Sequence, residues 1–173
     1  MNTLLWNMIT VSDNESCNEL GRLQSDTYDF IDGAKQVNKY LKKRDIRRPV
    51  IRAHCIRQHR NSLHLVGIIR QQVTDCGKLL ERIYRGECVS KEASEEMLDL
   101  LKNQQNTSKI PEGLGVDVPT ANKTGETDED QHDIAIVYGT KTTYILCVMS
   151  ENASNAIANI RNISRVVYNY LNL

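Results

Sequence analysis

The sequence predicts an α+β protein, and three observations carry the prediction. Apolar residues recur at helical spacing through roughly the first hundred positions, short strand-like runs replace them after Asp117, and a helical pattern returns from Asn155 to Leu171. After Asn14, Cys17, Leu20 and Leu23 recur every third residue, which suits a short helix. Phe30, Ile31, Ala34, Val37 and Leu41 mark a second helix, opened by Asp26 or Thr27. Cys76, Leu79, Leu80, Ile83 and Tyr84 follow i, i+3, i+4, i+7, i+8, with Thr74 as cap and Gly86 as stop. Ser90 caps a further helix that runs to about Asn103, with Ala93, Met97, Leu100 and Leu101 inward. A polar linker with Pro111, Gly113 and Gly115 follows. VPTANKTGE, DIAIVYG and TTYILCVMS then read as three antiparallel strands joined by turns. The last helix turns Ile157, Ile160, Ile163, Val167 and Leu171 inward. In TTYILCVMS both alternating sets, Tyr144, Leu146, Val148 and Ile145, Cys147, Met149, are apolar, as in a central strand. It is nevertheless the last strand, so one of its edges lacks an obvious partner.

The chain has 173 residues, 40 % apolar and 25 % charged, which fits one domain with a core of its own. Residues 1–104 form its helical part and 105–173 its strands and final helix. Twenty-two basic and 22 acidic residues cancel, so overall charge gives no reason to expect a nucleic acid. No apolar run reaches the ~18 residues of a membrane span, and the start MNTLLWNMITV lacks the pattern of a signal peptide. Five cysteines without a C-x-x-C pair read as buried thiols. His54, Cys55, His59 and His64 are not spaced to share one helical face, so neither a metal nor a cofactor is expected.

Two triplets stand out: Ser12-Asp13-Asn14 and Lys123-Thr124-Gly125. Together they resemble the second and third motifs of class A β-lactamases and the related penicillin-binding serine hydrolases, whose set is S-x-x-K, S-D-N and K-T-G. MITVSDN enters a helix, and PEGLGVDVPTANKTGETDEDQHDIAIVYG runs strand, motif, acidic turn, strand, as the end of that domain does. The resemblance covers Leu4 to about Leu41 and Val73 to Leu173. It implies a β-lactam or a D-Ala-D-Ala-type peptide as ligand. Ser12 would relay a proton toward the leaving nitrogen, and Lys123 would supply positive charge near it. Asn14, beside Asp13, would hold the substrate amide. Thr124 would bind the ligand's carboxylate, and Gly125 and Glu126 would continue the strand edge whose backbone faces it. Taken singly, Ser12, Asp13 and Asn14 would read as helix-start residues and Lys123 as a solvated strand lysine.

No serine lies three residues before any lysine in this sequence, so the motif that supplies the nucleophile is missing. The resemblance therefore implies an incomplete β-lactamase/DD-peptidase-like fold: a helical subdomain, the last three strands and the C-terminal helix, without the first two strands and the nucleophile helix. In that fold the first two strands lie beside the last one, so self-association or a complementing N-terminal fragment is expected at its open edge. The family acts outside the cytoplasmic membrane. From Lys42 to Gln72 nine Lys or Arg face only Asp45. This basic segment lies where class A enzymes carry the E-x-x-x-N loop, and no glutamate occurs between Glu19 and Glu81. The abrupt change suggests a stretch translated from another frame, and poorly specified structure is expected across 44–72.

Overall fold

The structure is a computed structural model that describes residues 2–46, 73–115 and 117–173. It is an α+β chain of seven helices and one three-stranded antiparallel sheet among these residues. The expected basic segment 44–72 falls almost wholly outside them. The chain divides into two compact units, residues 1–75 and 76–173.

In the first unit, α1 (Asn2–Thr10) occupies the apolar run that carried no predicted helix. The run has no acidic residue in its first turn and no basic one in its last, so the usual signals of a helix start and stop are missing. Helix α2 (Asn14–Arg22) starts where expected, with the Asp13 carboxylate accepting the Ser16 N–H at 2.7 Å. Helix α3 (Phe30–Lys43) is capped by Asp29, which accepts from the Asp32 N–H at 2.8 Å, and not by Asp26 or Thr27. The chain first turns through Tyr28 at φ 57°, held by a hydrogen bond from its hydroxyl to Glu19 Oε1, and only then enters the helix. Helices α2 and α3 cross closely because both carry glycine. A Cβ on Gly33 would lie 1.8 Å from the Gly21 carbonyl oxygen. Phe30 and Ala34 fill the buried side of α3.

Helix α4 (Val73–Tyr84) buries Cys76, Leu80 and Ile83 of the predicted stripe, while Leu79 is half-buried and Tyr84 exposed, and the chain leaves it through Gly86 at φ 74°. Thr74 is not its cap, since the helix already includes Val73. Helix α5 (Lys91–Lys102) is capped by Ser90 as expected. Its most buried residue is Ser94 rather than an apolar one. Ser94 Oγ donates toward the carbonyls of Cys88 and Ser90 and accepts the Cys88 N–H, so the hydroxyl satisfies the turn before the helix.

The predicted linker holds a short helix, α6 (Ile110–Leu114). Pro111 sits in its first turn, where a missing N–H costs nothing, so the proline opens the helix instead of excluding it. Strands β1 (Thr120–Glu126), β2 (Gln131–Tyr138) and β3 (Thr143–Ser150) pair in the order β1-β2-β3. Opposite pairs include Lys123 with Ile134, Thr124 with Asp133, and Ala135 with Leu146. Helix α7 (Ala156–Asn172) closes the chain. Ile110, Ala135, Val137 and Ile160 form the buried core, with Tyr144, Leu146 and Val148 of β3 packed against it. Gly113 admits the α6–α7 crossing, since a Cβ there would lie 2.3 Å from the Arg161 carbonyl oxygen.

Two expectations are corrected here. Ile157 and Ile163 are exposed, and α7 instead buries Ala156, Ile160 and Ser164 at spacing four. Strand β3 is an edge strand in the described sheet, half-buried on both faces from Tyr144 on, rather than a fully buried central one. Cys76 and Cys88 are buried and Cys17 and Cys147 half-buried, all as thiols; Cys55 lies outside the described residues. No described helix is long and apolar enough to cross a membrane, and no cluster of possible metal ligands occurs among the described residues.

Candidate functional site

The S-D-N triplet is the joint between α1 and α2. Helix α1 ends as the Val11 and Asp13 N–H groups donate to the Asn7 carbonyl at 3.3 and 3.1 Å. Ser12 then adopts a left-handed conformation, φ 56°, that L-residues other than glycine and asparagine avoid. The exposed Ser12 is thus held in a backbone well costing on the order of 1–2 kcal/mol. Asp13 spends its carboxylate on the cap of α2. Hydrogen bonding from Ser16, side chain and backbone, holds its carboxyl below the usual range. Asn14 is the first helical residue and half-buried. Strain at Ser12 and the cap at Asp13 fix the Ser12 and Asn14 backbones on either side of a rigid helix start.

The K-T-G triplet lies on β1, an edge strand of the described sheet. The ladder with β2 continues at both ends, through Thr127 N–H to the Asp130 carbonyl and Tyr138 N–H to the Pro119 carbonyl, each 3.0 Å. In an antiparallel pair the bonded residues alternate. Lys123 and Gly125 therefore bond across to β2, and Thr124 and Glu126 turn their backbone N–H and C=O groups to the edge away from β2. Lys123 Nζ donates to the Thr124 carbonyl at 2.8 Å, which brings an ammonium to that same edge. The Thr124 side chain is buried and Gly125 half-buried.

Behind this edge lies a polar cluster that the sequence did not signal. Lys109 is fully buried, 0 % exposed, and its Nζ donates to Glu126 Oε1 at 2.9 Å and to the His132 carbonyl at 3.1 Å. Asn106 Nδ2 donates to the same carboxylate at 2.9 Å. Chiefly through Lys109, the Glu126 carboxyl is held below its ordinary range. Asp133, opposite Thr124, accepts the Ile110 N–H at 2.9 Å and Asn122 Nδ2 at 3.1 Å. Burial pushes Asp133 up to about 6 despite these donors and the nearby Lys109 charge. Lys109 thus fixes Glu126 and β2 together, while Asp133 ties α6 to the strand bearing Thr124. The signals available in sequence were slight: a lone aspartate opening the apolar run DIAIVY, and a lysine beside Ile110 and Pro111. A shallow groove on α3, lined by Gln36, Val37, Lys39 and Tyr40, contains no residue of either triplet.

An antiparallel sheet with helices, an S-D-N triplet at a helix start and K-T-G on an edge strand of the described sheet are the features of a β-lactamase-like chain. The comparisons agree. The model of the beta-lactamase enzyme family matches residues 1–171, and the chain belongs to that family. Among solved structures it is similar to a beta-lactamase from Chitinophaga pinensis, with TM-score 0.81 and 20 % identity over 98 % of this chain and 64 % of that one. It is also similar to a beta-lactamase from Sphaerobacter thermophilus, with TM-score 0.79 and 22 % identity over 96 % of this chain and 61 % of the other. The protein PBP-A matches with TM-score 0.74 and 24 % identity, over 97 % and 60 %. The chain thus spans about 60–64 % of the length of these relatives. No curated protein sequence matches it significantly.

Proposed function

We propose that the chain carries the ligand-recognition motifs of a β-lactamase-type serine hydrolase and binds a β-lactam or a D-Ala-D-Ala-type peptide without turning it over by itself. The observation that carries this reading is the β1 edge, where outward backbone groups of Thr124 and Glu126 and the Lys123 ammonium converge. Such an edge suits a ligand that presents an amide and a carboxylate to one strand. Lys123 and Thr124 take the carboxylate, Asn14 the ligand amide, and Ser12 the proton of the leaving nitrogen. One solved relative, a variant of PBP-A, is an acyl-enzyme complex with penicillin G, which shows what that protein does with such a ligand. Acylation needs a nucleophile, and no serine stands three residues before a lysine in these 173 residues. The absence of any glutamate from Leu20 to Leu80 favours a DD-peptidase-like relative, which acylates without rapid deacylation, over a rapid hydrolase.

Titration of the purified chain with benzylpenicillin, followed by the amide NMR signals of residues 120–126, tests the proposal. Reversible shifts are expected, weakened about tenfold or more by Lys123→Ala, the range for losing a hydrogen bond to a charged group. A fluorescent penicillin should leave no covalent label, and nitrocefin should stay uncleaved. Absence of any shift at β1 would refute ligand recognition, and covalent labelling would refute the claim that the chain lacks its own nucleophile.

A further inference from the structure

The residue that follows the K-T-G triplet is an acid, which sets a problem for a ligand that carries a carboxylate. Glu126 turns its backbone groups to the same edge as Thr124, three residues along from Lys123. A bare carboxylate there would repel an anionic ligand and compete for the Lys123 ammonium.

The buried face of the sheet answers that problem. Residues opposite each other in an antiparallel pair share a face, so Asn122, Thr124 and Glu126 project on the side of Asp133 and Ala135, where Ile110 and Ile160 pack. Lys123 and Gly125 project on the other side, with Ile134 and His132. Lys109, just ahead of α6, donates to Glu126 Oε1 at 2.9 Å, and Asn106 Nδ2 donates to the same oxygen at 2.9 Å. The carboxylate is thereby drawn to the buried face and matched by an ammonium that is 0 % exposed. Lys109 contributes most to holding the Glu126 carboxyl low, and the Lys123 charge also contributes, so two ammonium groups act on one carboxylate. Of these, Lys109 makes the salt bridge, while Lys123 Nζ meets the Thr124 carbonyl at the edge.

We propose that Lys109 is a specificity-determining residue for an anionic ligand: it neutralises Glu126 from behind the strand, so that Glu126 does not cancel the Lys123 charge at the edge. The inference rests on the reading that β1 receives a carboxylate-bearing ligand, and it adds what selects that ligand's charge. Being buried, Lys109 acts through Glu126 and not by touching the ligand. A purely structural anchor would strengthen every ligand alike, whereas a neutralising charge favours the anionic one.

Four chains test this: the wild type, Lys109→Met, Glu126→Gln and the double variant, whose charge behind β1 differs from the wild type by 0, −1, +1 and 0. Each is titrated calorimetrically at low ionic strength with benzylpenicillin, an anion, and with its neutral methyl ester. The pH is kept at about 8, above the Asp133 carboxyl at about 6, so that this second acid stays ionised. The readout is the Kd of the ester divided by that of the acid, which loosening of the strand leaves unchanged because it weakens both. Lys109→Met lowers this ratio and Glu126→Gln raises it, each about threefold for one unit charge within a Debye length, ~10 Å. The double variant returns it to the wild-type value. Glu126→Gln keeps a side-chain oxygen for Lys109 at a position 46 % exposed, so this arm stands whether or not Lys109→Met folds, which far-UV circular dichroism reports. The same ratio in the wild type and Glu126→Gln, or a double variant that keeps the ratio of Lys109→Met, would overturn the inference alone. A wild type that binds neither compound would overturn the reading of β1 itself, and this inference with it.

Discussion

Replacing Lys109 by methionine isolates the buried cluster behind β1. Methionine keeps most of the volume of the lysine stem, so cavity formation is small and the loss falls on two hydrogen bonds. The bond to Glu126 is charge-assisted, but the Glu126 side chain is 46 % exposed and rehydrates when its partner is gone, so this bond counts at the low end, about 1 kcal/mol. The His132 carbonyl loses its ammonium donor beside a buried aspartate, which adds about 1–3 kcal/mol. The variant should thus lose about 2–4 kcal/mol, concentrated where β1 meets β2. Hydrogen exchange at the Lys123 and Gly125 amides, which bond across to β2, reads that local opening directly. Their protection should fall by a factor on the order of 30 or more, while amides in α2 and α3 keep theirs. Lys109→Arg should recover part of the loss. Unchanged protection at both amides would refute the view that this lysine anchors the strand bearing the motif.

Three further outcomes follow from the same geometry. Asp133 is raised from 3.8 to about 6, so the folded chain holds a proton that the unfolded chain has already lost; its contribution is full below the unfolded value and fades as pH rises through 6, worth on the order of 3 kcal/mol at most. Asp133→Asn should remove that decline, so that the stability difference between wild type and variant changes between pH 4 and pH 7 in urea titrations. Ser12→Gly should exceed Ser12→Ala in stability by about 1 kcal/mol, because both lack the hydroxyl and only glycine relieves φ 56°. Gly33→Ala, whose methyl would meet the Gly21 carbonyl at 1.8 Å, should cost about 3 kcal/mol, followed by the fluorescence of the single tryptophan, Trp6.

The readable elements were those whose own residues decide them. Helix α4 declared itself by an uninterrupted 3.6 period, and α5 by the Ser90 cap, because both signals act within one or two turns. Helix α1 lacked charged start and stop signals, and α6 carried a proline and two glycines near a boundary where they are harmless, so local rules pointed the wrong way. The inward face of α7 was set by α6 and the sheet, and Ser164 outcompeted Ile163 because its hydroxyl meets the Ile110 carbonyl. Of the candidate site, the two triplets were legible as motifs. Lys109 and Asp133 were not, since the partners that make a buried charge tolerable come from strand pairing and from a helix start elsewhere in the chain.

The open edge of β1 has a consequence for how such a chain diversifies. Thr124 and Glu126 offer peptide N–H and C=O groups to that edge, and no substitution other than proline removes those atoms. Side chains along the strand can change while the hydrogen-bonding template persists, so on the proposed function an extended ligand would keep its backbone contacts as preference drifts.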